Sequence, residues 1–164
     1  MDVLKESSIF LSYKKSLLDF KTHPSVENFE SIQPDPRGNQ PYINLKFEDQ
    51  ELKVLWDTGA GITIVDINFI KRFPEMFELV GQSVGTDSTG NKIVTPNYKI
   101  KSFDIDGHHF DSHDVAALDM SHINLKSSNP VYITLGFSTI RQADWFFDFK
   151  NNKWAVIEFY GAKY

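Results

Sequence analysis

The sequence contains no cysteine, which excludes disulfide bonds and cysteine-ligated zinc sites and leaves the redox compartment undetermined. It also lacks any apolar run of about 18 residues, so it offers no candidate transmembrane helix. The continuous apolar patch near the start, Ile9-Phe10-Leu11, is too short for the core of a signal peptide. We therefore expect a cytoplasmic protein, or a periplasmic or secreted one whose leader has been removed.

Basic residues are also scarce, with 17 Lys and Arg against 22 Asp and Glu and a net charge of −5. Binding to nucleic acid depends on a concentrated basic face that neutralises phosphates, and no such cluster is visible. We therefore expect no nucleic-acid partner. The length of 164 residues fits one domain with a substantial core plus an extension.

The extension is predicted at the N-terminus, where apolar residues recur at every seventh position. The two rows are Val3/Phe10/Leu17 and Leu4/Leu11/Leu18. This spacing predicts a helix over residues 3–20 with one buried face, followed by a short helical piece over 25–32 and a Pro/Gly-rich linker over 34–39. We therefore interpret residues 1–40 as a helical extension and linker: an outer strap, a dimer clasp or a pro-segment that covers a cleft.

The most informative stretch is Asp57-Thr58-Gly59, which lies between the apolar segments 54–56 and 62–65. Side chains alternate along the preceding strand, so we expect Val54 and Trp56 to face the core and Leu55 and Asp57 to face the cleft on the opposite side. A carboxylate flanked by buried strands is costly unless it is compensated, so its position favours a catalytic role. Asp57 would present a carboxyl at the end of a rigid strand, and the Thr58 hydroxyl can both donate and accept. Gly59 lets backbone groups approach closely. The alternative is an ordinary turn, since all three residue types favour turns.

These residues resemble the signature of the retropepsin-like aspartic proteases, in which two apolar residues and a variable one precede Asp-Thr-Gly-Ala. A second family element is an apolar pair and a glycine followed by a short helix. It is matched by Leu135-Gly136 within the segment 131–137, followed by residues 138–143, where Ser138 is expected to cap the helix. The resemblance extends over roughly residues 41–159.

The resemblance implies a retropepsin-like domain over residues 41–164. Its fold would be all-β, a small closed or partly closed antiparallel barrel with a short C-terminal helix. The implied catalytic residue is Asp57, supported by Thr58, Gly59 and Ala60, and Leu135-Gly136 is the implied structural motif. No cofactor and no metal are implied.

A polar segment around Gly90 lies between strand-forming residues and predicts a hairpin tip. In the resembled family a flap closes over the substrate at this place, which implies substrate contacts from Thr86, Asp87, Ser88, Thr89 and Gly90. The alternative is an ordinary exposed hairpin.

The dipeptide Asp106-Gly107 predicts a two-residue hairpin turn. Nearby histidines and aspartates could suggest a metal site; they are His108, His109, His113, Asp106, Asp111 and Asp114. Adjacent histidines on a strand point to opposite faces, so we favour a solvated hairpin. Two aromatic strands, over 145–149 and 154–159, have large residues on both faces, and we expect the N-terminal helix or a second subunit to cover one face.

Taken with the single Asp-Thr-Gly, the resemblance implies an aspartic endopeptidase that acts on peptide or protein substrates as a homodimer, with one Asp57 from each chain. Two alternatives remain. One is a weakly active or inactive peptide-binding or scaffolding module on the same fold. The other is a metal- or carbohydrate-binding β-sandwich in which Asp57 is structural.

Overall fold

The computed structural model describes residues 4–26, 28–33, 40–86, 89–125 and 130–161, and most of them lie in two β-sheets. The strands are β1 (Ser8–Ser12), β2 (Leu17–Asp19), β3 (Glu30–Ser31), β4 (Tyr42–Phe47), β5 (Gln50–Trp56), β6 (Ile64–Asp66), β7 (Phe77–Thr86), β8 (Lys92–Ile100), β9 (Phe103–Ile105), β10 (His108–Phe110), β11 (His113–Leu118), β12 (Ile133–Leu135), β13 (Ala143–Asp148) and β14 (Lys153–Phe159). The smaller sheet has the order β2-β1-β13-β14-β3 and the larger one the order β10-β9-β4-β5-β12-β6-β11-β8-β7.

Within the described ranges, three short α-helices connect the strands: α1 (Ile67–Arg72), α2 (Ser121–Asn124) and α3 (Phe137–Ile140). A 3-10 turn follows α1 at Pro74–Met76. Asp66 caps α1, because its carboxylate accepts a hydrogen bond from the Asn68 N–H. Among the described residues, no helix is both long and apolar enough to cross a membrane.

The prediction of a mostly β domain is confirmed, but the prediction of a closed barrel is wrong. The larger sheet begins at β10 and ends at β7, and these two strands do not pair with each other among the described residues. The prediction of purely antiparallel pairing is also wrong. Strand β12 runs parallel to β5, and β11 runs parallel to β6. Parallel neighbours end at the same edge of a sheet, and this brings the segments that follow β5 and β12 together.

The predicted N-terminal helix is wrong, because this segment forms the β1–β2 hairpin, and β1 pairs with β13 over its whole length. Ile9 and Phe10 are adjacent and both buried, on opposite faces of the strand, which is a strand pattern and not a helical stripe. Pairing with β13 satisfies a row of backbone groups that would otherwise form an open edge. This tertiary contact outweighs the local seven-residue spacing. The short helix predicted over 25–32 is also wrong, since its end forms β3 and pairs with β14.

The N-terminal segment covers the aromatic hairpin, as expected, although it does so in extended form. Ile9 joins the main core with Trp145, Phe147 and Trp154. On the other face, the Phe146 ring lies 6.1 Å from the His23 ring and 5.8 Å from the Phe29 ring. The division of the chain at residue 40 remains a prediction. In the structure, residues from both sides of it share one sheet.

Candidate active site

Asp57 lies where strand β5 ends, next to strand β12 in the middle of the larger sheet. Val54 and Trp56 point into the main core, whereas Leu55 belongs to a small second cluster with Tyr42 on the opposite face. This alternation agrees with the orientation predicted from the sequence. Asp57 follows directly after the strand and is half-buried, so a rigid element holds a carboxylate that solvent can still reach.

The turn after β5 folds back onto the Asp57 carboxylate. The Gly59 N–H donates to Asp57 Oδ1 at 2.8 Å, and the Ala60 N–H donates to the Asp57 carbonyl oxygen at 3.3 Å. A Cβ at Gly59 would lie 3.1 Å from Oδ1, so a side chain there would crowd the carboxylate. Thr58 and Gly59 are exposed at the tip of the turn, and Ala60 is half-buried.

Backbone hydrogen bonds on either side of Gly136 hold this turn against the end of strand β12. The Asp57 N–H donates to the Leu135 carbonyl at 3.0 Å, and the Phe137 N–H donates to the Ala60 carbonyl at 2.7 Å. A Cβ at Gly136 would lie 2.3 Å from the Ile62 carbonyl oxygen and 2.8 Å from that of Ala60. Glycine is therefore required here for close backbone approach, since the φ of −105° suits any residue.

Behind Gly136 lies a hydrogen-bonded cluster that starts at Thr63, which is fully buried. Thr63 Oγ1 accepts from the Gly136 N–H at 3.1 Å and lies 2.6 Å from Thr139 Oγ1. The Thr63 N–H donates to Ser138 Oγ at 3.0 Å. The predicted helix-capping role of Ser138 is therefore wrong: Gly136 occupies the cap position of α3, and the serine hydroxyl is engaged with Thr63.

His113 completes this cluster, because its Nε2 lies 2.7 Å from Thr139 Oγ1. Burial lowers the pKa of this imidazole, an effect that the nearby carboxylates of Asp114 and Asp111 only partly oppose. The sequence predicted a solvated hairpin around His113, but this residue begins β11 and is half-buried. Its role, and those of Thr63 and Thr139, were missed. A threonine at position 63 between Ile62 and Ile64 was the signal that could have indicated a buried polar contact.

Three other residues of the suggested metal site, Asp106, His108 and His109, make contacts with different partners. The Asp106-Gly107 turn forms as predicted, with positive φ at both residues. The His108 ring stacks on Phe159 at 5.5 Å, and His109 Nδ1 lies 2.8 Å from Asp104 Oδ1. No group of three or more histidine, aspartate or glutamate side chains within the described ranges could hold a metal ion.

The predicted flap corresponds to a long two-stranded ribbon formed by β7 and β8. Several of its large apolar side chains are exposed: Leu79, Val84 and Val94 are 62%, 64% and 66% accessible. At the tip, Thr86, Thr89 and Gly90 are exposed. Asp87 and Ser88, two of the five predicted substrate contacts, lie outside the described residues.

A cavity of about 490 Å³ lies beside the Asp57 turn. Leu55, Trp56, Asp57 and Thr58 form one wall. The N-terminal hairpin forms another, with the side chains of Ile9, Leu11, Tyr13, Leu18 and Phe20. The structure thus places N-terminal residues next to the predicted catalytic carboxylate, which the sequence did not indicate for any particular side chain.

Comparison with one solved structure supports the fold. A crystal structure of a retropepsin-like aspartic protease from Rickettsia conorii matches 80% of this chain and 92% of its own, with a TM-score of 0.53 and 16% identity. The solution structure of the simian foamy virus (mac) protease matches 60% of this chain and 90% of its own, with a TM-score of 0.39 and 20% identity. A foamy viral protease-reverse transcriptase in complex with RNA/DNA hybrid matches 60% of this chain, with a TM-score of 0.40 and 19% identity.

The chain spans only 11% of the length of that protease-reverse transcriptase. No protein-family model matches the sequence, and no curated protein matches it. At these identities the similarity to the Rickettsia structure extends to the fold, and the function is argued from the site.

Proposed function

We propose that this chain is one subunit of a retropepsin-like aspartic endopeptidase that hydrolyses peptide bonds. The observation that carries the proposal is the attachment of the Asp57 turn to Gly136. Backbone hydrogen bonds on both sides of Gly136 hold the turn, while the Asp57 carboxylate remains accessible. A rigidly held carboxylate at the rim of a mostly apolar cavity suits acid–base chemistry on a bound peptide.

The proposed reaction needs two carboxyls in contact, and the sequence has a single Asp-Thr-Gly. A homodimer with a two-fold axis at this turn would supply the second Asp57. The exposure of Thr58 and Gly59 at the tip supports this arrangement, because a two-fold interface brings the same surface of each chain together. Each Thr58 hydroxyl would then brace the partner's turn.

Two carboxyls in contact share one proton, since like charges at this distance do not both ionise readily. The ionised Asp57 takes a proton from water, and the oxygen of that water attacks the peptide carbonyl carbon. The protonated Asp57 hydrogen-bonds the carbonyl oxygen, which gains negative charge as the bond forms. As the tetrahedral intermediate collapses, the carboxyl that took the proton from water passes it to the peptide nitrogen, the C–N bond breaks and the amine leaves. Activity is therefore expected to favour acidic over alkaline pH. The exposed ribbon would close over the substrate and exclude water, with its tip from Thr86 to Gly90 in contact with the peptide.

Asp57→Asn tests the proposal. The substitution is nearly isosteric, so the variant should fold and dimerise, yet hydrolyse a peptide library at least about 100-fold more slowly. Asp49→Asn is a matched control, because it removes an exposed carboxylate at the other end of the same hairpin and should leave turnover unchanged.

Mixing the Asp57→Asn chain in excess with wild type should reduce activity beyond simple dilution as subunits exchange. Activity in strict proportion to wild-type chains, despite demonstrated exchange, would contradict the dimeric mechanism. Peptide binding without turnover by the wild-type dimer would favour the peptide-binding module instead.

A further inference from the structure

The cluster of His113, Thr139 and Thr63 lies behind Gly136 and takes no part in the proposed chemistry. We propose that His113 is a positioning residue for the Asp57 turn. Its neutral ring sets the direction of a hydrogen-bond chain that ends on Gly136. For catalysis this inference rests on the proposed function, whereas the hydrogen-bond chain itself does not.

The direction of the chain follows from one contact. His113 Nδ1 lies 2.7 Å from the Asp111 carbonyl oxygen, which can only accept, so Nδ1 carries the proton. In the neutral ring Nε2 is then an acceptor, and the Thr139 hydroxyl donates to it at 2.7 Å. Since the proton of Thr139 is committed to His113, its oxygen accepts from the Thr63 hydroxyl at 2.6 Å.

Thr63 transmits this arrangement to the turn. With its own proton directed to Thr139, Thr63 Oγ1 is free to accept from the Gly136 N–H at 3.1 Å and from Ser138 Oγ at 3.3 Å. The neighbouring amide of Phe137 holds the Ala60 carbonyl at 2.7 Å. The contact between the Asp57 turn and Gly136 therefore has a fully paired polar cluster behind it, and buried networks of this kind are rigid only when every member is paired.

Protonation of His113 reverses the chain. The charged ring donates through Nε2 to Thr139, so Thr139 donates to Thr63 and Thr63 to Ser138. The proton of Ser138 then has no acceptor within the cluster. A positive charge also enters a half-buried site in which Phe103 packs against the ring at 5.7 Å.

The charged groups that face His113 do not compensate for this burial. Asp111 and Asp114, beside His113 in the chain, favour the charged ring, and Arg141 at the end of α3 opposes it. Burial is the largest effect and keeps the pKa below the ordinary value of 6.5. The folded-state pKa is thus lower than the unfolded one, so the stabilising contribution of neutral His113 is complete above pH 6.5 and is lost as the pH falls through the folded value.

The test uses the full chain and two readouts in NMR spectra from about pH 4 to about pH 8. The first is the pH at the midpoint of the His113 ring titration, compared with the midpoint of the pH-dependent change in the Gly136 amide chemical shift. The second is the hydrogen-exchange rate of the Gly136 amide at neutral pH. The variants are His113→Gln, which keeps a hydrogen-bond acceptor but takes up no proton, and His113→Phe, which has neither an acceptor nor a titratable group. Thr139→Val cuts the chain, and Thr139→Ser is the matched control that preserves it.

In wild type and Thr139→Ser, we expect the Gly136 amide shift to change with the same midpoint pH as the His113 ring. In His113→Gln and Thr139→Val, the Gly136 amide shift should show no change at the wild-type midpoint. At neutral pH, Gly136 should exchange about tenfold faster in His113→Phe and Thr139→Val than in His113→Gln. Equal exchange in the Gln and Phe variants, or a Gly136 titration with the wild-type midpoint in His113→Gln, would overturn the proposal.

Catalysis provides a separate measurement. The titration of the Asp57 pair affects wild type and variant alike, so the ratio of their kcat/KM values isolates the effect of His113. The ratio of His113→Gln to wild type should be about tenfold higher at the acidic end of the range than at about pH 6.5. Identical acid limbs would refute the catalytic part of the inference. If no variant or wild type hydrolyses peptide, the proposed function fails, and the Gly136 readouts still decide the role of His113.

Discussion

Gly136→Ala measures how closely the Asp57 turn must approach strand β12. The added Cβ would lie 2.3 Å from the Ile62 carbonyl oxygen, whereas real Cβ contacts are essentially never under 3.0 Å. The two segments must therefore separate by at least about 0.7 Å. Both atoms belong to backbone, so no rotamer change relieves the clash. The separation would also stretch the hydrogen bond from the Phe137 N–H to the Ala60 carbonyl.

The expected cost follows from these contacts. Overpacking in a closely packed region costs about 1–3 kcal/mol, and each buried hydrogen bond that is weakened adds about 1 kcal/mol. We therefore expect the free energy of unfolding to fall by about 2–4 kcal/mol, and Tm to fall by roughly 10 °C for a chain of this size. A displacement of this order at the Asp57 turn should also lower peptidase activity by about 100-fold.

Urea denaturation followed by tryptophan fluorescence provides the assay, because Trp56, Trp145 and Trp154 are all buried. Gly61→Ala is the matched control, since nothing lies within 4 Å of a Cβ built at Gly61. It should unfold within about 1 kcal/mol of wild type. A Gly136→Ala chain as stable as the Gly61→Ala chain would refute the argument from close approach.

Three further predictions concern the remainder of the molecule. Ile9→Ala should lower the free energy of unfolding by about 2–4 kcal/mol, and the exposed Leu18→Ala by less than about 0.5 kcal/mol; equal small effects in urea denaturation would favour a separate extension over residues 1–40. In hydrogen exchange, the ribbon tip over 86–91 should gain protection when a peptide inhibitor binds, and unchanged protection would remove its assignment as a flap. Burial raises the pKa of Asp106 and so disfavours its charged form in the fold, despite a hydrogen bond from the Val156 N–H. Asp106→Asn should therefore be more stable relative to wild type at pH 7 than at pH 3, and a difference in free energy of unfolding that does not change with pH would contradict this prediction.

The immediate surroundings of Asp57 were largely predictable from the sequence. Alternation of apolar residues placed Val54 and Trp56 in the core and Leu55 on the opposite face, and the structure has this arrangement. The Asp106-Gly107 turn was predictable for a similar reason, since positive φ at two adjacent positions selects these residue types. In both cases the determining interactions lie within a few residues along the chain.

The N-terminal segment shows where local patterns fail. A spacing of seven residues favours a helix only if no stronger partner is available, and the edge of β13 is such a partner. Ile9 pairs with Phe147, far along the chain, and no spacing near residue 9 encodes that contact. The closed barrel was predicted by analogy, and the order of strands in an open sheet is decided by long-range pairing.

What the sequence determined by itself is therefore the presence of a carboxylate in a tight turn between buried strands, with a downstream glycine expected to matter. Only the tertiary structure decided why that glycine matters: β5 and β12 run in parallel, and the carbonyls of the Asp57 turn leave no room for a side chain at Gly136. It also brought Thr63, Thr139 and His113 into one cluster. Thr63 and Thr139 are separated by 76 positions in the sequence. Hydrogen bonds between such distant residues depend on how the sheet is assembled, so local sequence patterns do not reveal them.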